Sequence, residues 1–144
     1  MAESIREKII QRVHEHAAEL TTSEVLRCLR NEPASKELFV SVWDGQSSLV
    51  TREYGIDTKT FQIGIELAWI SDFDTESKEA NEVMAKAEFH MHKINLKKLA
   101  NRFDWQASQP NYKDTGERVT SVRLTYDIQF STPTGNPYLS SIED

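Results

Sequence analysis

The apolar and polar positions divide the chain into helical and extended stretches. Ile5, Ile9, Val13 and Ala17 fall on one helical stripe, widened by Ile10 and Leu20, which predicts a first helix from Ile5 to Ala18 or Leu20. Ser4 and Glu7 have the spacing of a capping box, in which each side chain meets the other residue's backbone N–H. Thr22-Ser23 gives a second start signal ahead of Val25, Leu26 and Leu29, with Pro33 as the stop. From Leu38 to Trp43 the alternation changes to period two, and Asp44-Gly45 supplies a turn. Gln46 to Asp57 carries little periodicity and reads as a long loop or an extended, partly mobile hairpin. Thr60 to Ile70 is the clearest strand, with Phe61, Ile63, Ile65, Leu67 and Trp69 on one side.

A long helix follows. Asp74 is its candidate N-cap, Ala80, Val83, Met84, Ala87, Met91 and Ile94 keep helical spacing, and Asn95 marks a break before Leu99 and Phe103. A weak strand from Phe103 to Ala107 leads into a polar loop from Ser108 to Glu117. In the last strand Val122, Leu124, Tyr126, Ile128 and Phe130 alternate with polar residues, and Ser131 to Asp144 reads as irregular because of Pro133, Gly135 and Pro137. This order predicts an α+β fold in a single domain, with an ordered core over 1–131 and a tail over 132–144. Its sheet is antiparallel or mixed and has roughly four strands, with the N-terminal helix and the long helix packed on one face. The opposite face carries Thr60, Gln62, Glu66, Ser121, Arg123, Thr125, Asp127 and Gln129, a surface suited to solvent or to a neighbouring subunit.

Composition narrows the class. A chain of 144 residues fits one domain. Hydrophobic residues make up 38%, below the usual ~45–50%, so part of the burial is expected between subunits. A net charge of −6 argues against nucleic-acid or anionic-membrane binding over the whole surface. No apolar run approaches the ~20 residues of a membrane span, and Met1-Ala2-Glu3-Ser4 does not begin a signal peptide, so a soluble protein of a reducing cytoplasm is expected. Cys28 stands alone and reads as a small buried hydrophobe.

Candidate chemistry is sparse. His14 and His16, like His90 and His92, are two residues apart in predicted helices, where they point about 200° apart and cannot share an ion. Solvated or half-buried histidines are expected, and no metal site. The five glycines form no nucleophile elbow, phosphate loop or dinucleotide fingerprint. No catalytic or cofactor-binding residue stands out, so neither a cofactor nor an enzyme is expected. Lys93, Lys97, Lys98 and Arg102 cluster at the end of the long helix, opposite Asp72, Asp74, Glu76 and Glu79 at its start, a polarity the helix dipole explains without a ligand. The aromatics Trp43, Tyr54, Trp105, Tyr112 and Tyr138 fall at strand ends or in loops, where they anchor interfaces or cap core edges.

The succession of an amphipathic helix (Ile5 to Leu20), a short strand (Leu38 to Trp43), a loop, the alternating Phe61-Gln62-Ile63-Gly64-Ile65-Glu66-Leu67, one long helix and a closing Leu124-x-Tyr126-x-Ile128-x-Phe130 strand resembles a known family. It is similar to the tail terminator proteins of long-tailed bacteriophages and prophages, the minor tail protein U group. The resemblance implies a structural virion protein for tail assembly: a homo-hexameric ring that caps the tail tube and stops its polymerisation. The implied partners are other copies of itself, the tail tube protein and a head-completion or connector protein, with DNA only passing through the ring and no membrane. The implied location is the bacterial host cytoplasm during assembly, then the virion tail. Candidate contact residues are Arg52, Tyr54, Glu66, Arg123, Asp127 and Tyr138. Glu66 and Arg123 are expected to pair across strands or between subunits, and Glu66 and Asp127 to accept charge reversal without loss of the fold. Another head–tail junction or adaptor protein is the nearest alternative. A small α+β enzyme or ligand-binding domain is the alternative of a different class, marked by a deep apolar pocket with converging titratable groups.

Overall fold

Ser4 opens the first helix, α1 (Ile5–Ala17), by accepting a hydrogen bond from the Glu7 backbone N–H at 3.1 Å in this computed structural model, which describes residues 3–21, 27, 39–71, 75–114 and 118–141. The other half of the capping box is replaced. The Glu7 carboxylate accepts from Arg27 Nη1 at 2.6 Å and Gln11 Nε2 at 3.1 Å. Ile5, Ile9, Ile10, Val13 and Ala17 are buried along the predicted stripe, and a 3-10 turn (Ala18–Leu20) carries Leu20 into the same core. The second helix expected from Thr22 to Pro33, Cys28 within it, and Asp74 lie outside the described residues, Arg27 excepted.

Five strands fill four positions of one antiparallel sheet. β1 (Phe39–Asp44) pairs with β3 (Ile56–Ile70) from Phe39↔Ala68 to Asp44↔Ile63. β2 (Ser48–Glu53) continues along the same edge of β3, from Ser48↔Thr60 to Glu53↔Ile56. Between them the Gly45 N–H donates to the Gln62 carbonyl at 2.8 Å and carries the ladder across the break. β5 (Arg118–Pro133) covers the other edge of β3, and β4 (Arg102–Asp114) lies outside β5. The roughly four strands expected from sequence are therefore four positions, one of them split, and every pairing among the described residues is antiparallel.

Three stretches read wholly or partly as loops are more ordered than that, the first of them taking the hairpin form of its two expected alternatives. Most of Gln46 to Asp57 is the β2–β3 hairpin. Much of the polar segment from Ser108 onward is strand, because β4 runs to Asp114. β5 ends at Pro133, two residues past the expected end of the core, and the following residues are tied down: the Thr134 N–H donates to the Gly55 carbonyl, and the Ile5 N–H to the Pro137 carbonyl.

α2 (Glu76–His92) starts after Thr75 and packs Ala80, Ala87 and Met91 inward. It stops at Lys93, so Lys97, Lys98 and Arg102 belong to a turn and a strand and not to one helical face. Both helices cover one side of the sheet. Their apolar residues join Val40, Val42, Phe61, Ile63, Leu124 and Ile128 in one core cluster, where each fully buried aliphatic or aromatic side chain contributes roughly 1.5–3 kcal/mol. No described helix is long and apolar enough to cross a membrane.

Candidate functional site

The β2–β3 hairpin exposes all six residues of β2. Its turn is Tyr54-Gly55, with φ of 54° and 73°, both in the left-handed region that a two-residue type I′ turn requires. Glycine and asparagine sit there readily, whereas a bulky L-residue costs roughly 1–2 kcal/mol. Tyr54 is nonetheless 98% exposed, and Leu49 and Val50, near the other end of β2, are 52% and 48% exposed. Arg52 is committed within the hairpin: its Nε and Nη2 donate to the Asp57 carboxylate at 2.7 and 3.1 Å. Asp57 also accepts from Thr134 Oγ1 at 2.9 Å, which fastens the segment after β5 to the hairpin.

The Arg52 hydrogen bonds hold the Asp57 carboxyl below the usual carboxylate range, with Thr134 assisting, and Arg27 does the same for Glu7. A carboxyl lowered in the fold contributes stability that is complete above its unfolded value and is lost as pH falls through the folded one. Urea midpoints are therefore expected to stay level down to about pH 5 and to fall below about pH 4. Asp57→Asn should flatten part of that fall. An unchanged acid limb in the variant would exclude Asp57 as a source.

The sheet face away from the helices has two halves. In one, Glu66 and Arg123 are register partners on β3 and β5, and Arg123 Nη2 donates to Glu66 Oε2 at 3.1 Å. The pair forms across strands within one chain. Glu66 is buried with Ser41, Ala68 and Ser121, so it is not the tolerant surface residue expected from strand alternation, and reversing its charge would place an unpaired ammonium beside Arg123. The Arg123 guanidinium lies 5.6 Å from the Trp43 ring centroid, and the Trp43 indole lies on Gly64, where an added Cβ would come within 2.0 Å of it. The other half is more open. Gln62 is exposed, and Asp127 is half-buried directly opposite Asp104. Tyr138 stands apart in an exposed turn, its backbone N–H donating to Asn136 Oδ1.

Beside β4, on the helix side, lies an apolar groove of about 590 Å³ lined by Phe89, Ile94, Phe103, Trp105 and Tyr126, with Glu88 and His92 among its polar walls. The Phe103 and Tyr126 rings stack at 4.4 Å, while Phe89 and Trp105 are 67% and 51% exposed. The register of β4 shifts between Trp105 and Ala107, leaving Gln106 as a bulge that resets the alternation beyond it. Burial pushes the Tyr126 phenol well above its ordinary pKa, with the Glu88 charge adding to the shift. That hydroxyl is held neutral and is a weak base candidate.

The histidines converge across the helices and not within their sequence pairs. His16 and His90 stack at 4.1 Å with a 7° interplanar angle, and each Nε2–H donates to the other residue's carbonyl, at 2.7 and 2.8 Å. These bonds add a second donor to carbonyls in the last turns of α1 and α2, which also accept from the capping N–H groups of Ala18 and Lys93. Glu19 Oε2 lies 3.4 Å from His16 Nδ1 and 3.2 Å from His90 Nε2. The three groups come close enough to suggest a cation site, yet imidazole lone pairs lie in the ring plane and parallel rings cannot aim two of them at one ion. The arrangement is a clasp between helices. His90→Ala should cost about 1–2 kcal/mol in urea unfolding, since it removes one clasp bond and leaves the His16 carbonyl with less cover. His92→Ala, on the exposed side, should stay within about 0.5 kcal/mol. Equal small losses in the two variants would discount the clasp.

No protein-family model matches this chain, and no curated protein sequence is significantly similar to it.

Proposed function

We propose that the chain is a structural assembly protein of the tail terminator type: a self-associating subunit that closes into a ring, caps a tail tube and offers a joining surface to the head. The observation that carries the assembly reading is the placement of its exposed apolar residues. Leu49, Val50, Tyr54 and Ile56 crowd one hairpin, while Phe89 and Trp105 border the groove near the opposite sheet edge. Two different apolar surfaces at opposite edges of one sheet favour a heterologous contact that repeats around an axis. The specific role in tails rests on the resemblance read from the sequence, from whose succession the fold departs in having β2 in place of the loop and β4 ahead of the closing strand. An enzyme or ligand-binding reading draws on the groove. The neutral Tyr126 and the exposed flanking aromatics make that cleft better suited to an apolar anchor than to acid–base work.

The test is electron microscopy of the purified protein mixed with tail tube protein from the same source. Rings at one end of each tube, and shorter tubes as more protein is added during polymerisation, are expected. Tubes that grow to the same length with bare ends would overturn the tail role. Asp127→Lys is the face variant to include, because the half-buried Asp127 faces Asp104 and a lysine there relieves a like-charge pair. If the open half of that face lines the ring, this variant folds but slows DNA passage.

A further inference from the structure

We infer that the Tyr54 turn of one copy docks into the apolar groove beside β4 of a second copy, and that this is the contact by which the chain self-associates. Tyr54 occupies a left-handed turn position that asparagine or glycine would take without strain, and its side chain meets almost nothing within its own chain. A strained and fully displayed aromatic residue is a recognition feature. It cannot serve its own groove. The turn sits at the β2 edge of the sheet, the groove sits at the β4 edge, and β3 and β5 lie between.

The groove suits this occupant in shape and charge. Its 590 Å³ accepts a phenol ring, and Phe89, Trp105 and the Phe103–Tyr126 stack give that ring aromatic walls. At the lip, Lys93 Nζ lies 4.1 Å from the Phe89 ring centroid, with His92 on the same helix end. Glu53, next to Tyr54, makes no ion pair among the described residues. In this pose the Glu53 carboxylate is the partner for the Lys93 ammonium beside Phe89, and the same ammonium offsets the Glu88 carboxylate on the groove wall. Turn and groove are different surfaces, so every docked copy still offers one of each, and the contact propagates until it closes.

This inference rests on the self-association in the proposed function but not on its tail role, and one set of variants separates the two. Tyr54→Asn creates an Asn-Gly turn, the favoured type I′ sequence, and removes the anchor. Phe89→Asp keeps the anchor and spoils the groove. Sedimentation of the full chain should show concentration-dependent multimers for the unmodified protein and at least tenfold weaker association for each variant. Tyr54→Asn should melt no lower than the unmodified chain. Mixed in equal amounts, the two variants should form a dimer and stop there, since only one intact turn and one intact groove remain. An unmodified chain that stays monomeric at every concentration overturns the inference, as do variants that assemble normally or a mixture that stays monomeric. Multimers that behave as described yet leave tail tubes uncapped would sink the tail role and leave the docking contact standing. Tubes capped equally well by Tyr54→Asn would do the reverse.

Discussion

Arg123→Ala is expected to destabilise the fold by about 2–3 kcal/mol at neutral pH, among the largest effects of any single change outside the apolar core. The Glu66 side chain is 3% exposed and Arg123 carries its compensating charge, so removing the guanidinium leaves a buried carboxylate with no ion-pair partner among the described residues. The Arg123 side chain is itself 42% exposed, which places the cost at or below the lower end of the range for fully enclosed pairs. Glu66→Gln added to Arg123→Ala should recover much of the loss, because a neutral amide can be buried with its hydrogen bonds where a lone charge cannot. Denaturant unfolding of the two single variants and the double variant checks this. A double variant as unstable as Arg123→Ala alone would mean that the loss came from packing of the arginine stem on Trp43.

Gly64→Ala is the second large effect, expected at about 1–3 kcal/mol from overpacking. The indole of Trp43 lies where the new methyl group must go, with its Cε2, Cζ2 and Nε1 atoms 2.0 to 2.4 Å away. The ring must therefore leave its place beside Arg123. The diagnostic is a change of sign. In a Trp43→Ala background the clash is gone, and Gly64→Ala should become neutral or stabilising, because alanine gives up less backbone entropy than glycine in a strand. If Gly64→Ala costs the same with and without Trp43, the close approach is not the cause.

The parts of this fold legible from sequence are those whose periodicity records a single buried side. α1, β3 and β5 each keep one apolar stripe against the core, and their sequences show it directly. β4 is legible only in its first part, as a weak strand from Phe103 to Ala107, for physical reasons. Its edge position puts polar Gln109 and Asn111 on the face away from the helices, and the bulge at Gln106 shifts the alternation midway, so Phe103 and Trp105 looked like a fragment. Pro110 also reads as a breaker, although an outer strand with one unpaired side tolerates it. β2 was obscure because none of it is buried. Of the candidate contact residues, Glu66 and Arg123 do meet, and Arg52 and Tyr54 share a hairpin, but Arg52 is spent on Asp57. The groove went unseen because Phe89 and Trp105 come from elements distant in sequence, and so did the His16–His90 stack, since spacing within a helix says nothing about a partner 74 residues away.

The long central ladder sets the order of folding. β3 and β5 join residues 49 positions apart at Ile70↔Val119 and 77 apart at Ile56↔Pro133. The β2–β3 and β4–β5 hairpins, by contrast, turn over within a few residues and close on the order of 1–10 µs. Two strands alone are only marginally stable, so each hairpin opens and closes many times before docking, and the slow step is joining one to the other against the entropy of a long closed loop, on the millisecond-to-second scale of sheet-rich domains. Until then the apolar stripe of β3 from Phe61 to Trp69 has no helix or strand across it. That interval is when a nascent chain is most prone to aggregate, and the yield of folded subunits depends on how dilute the unpaired hairpins are kept while it lasts.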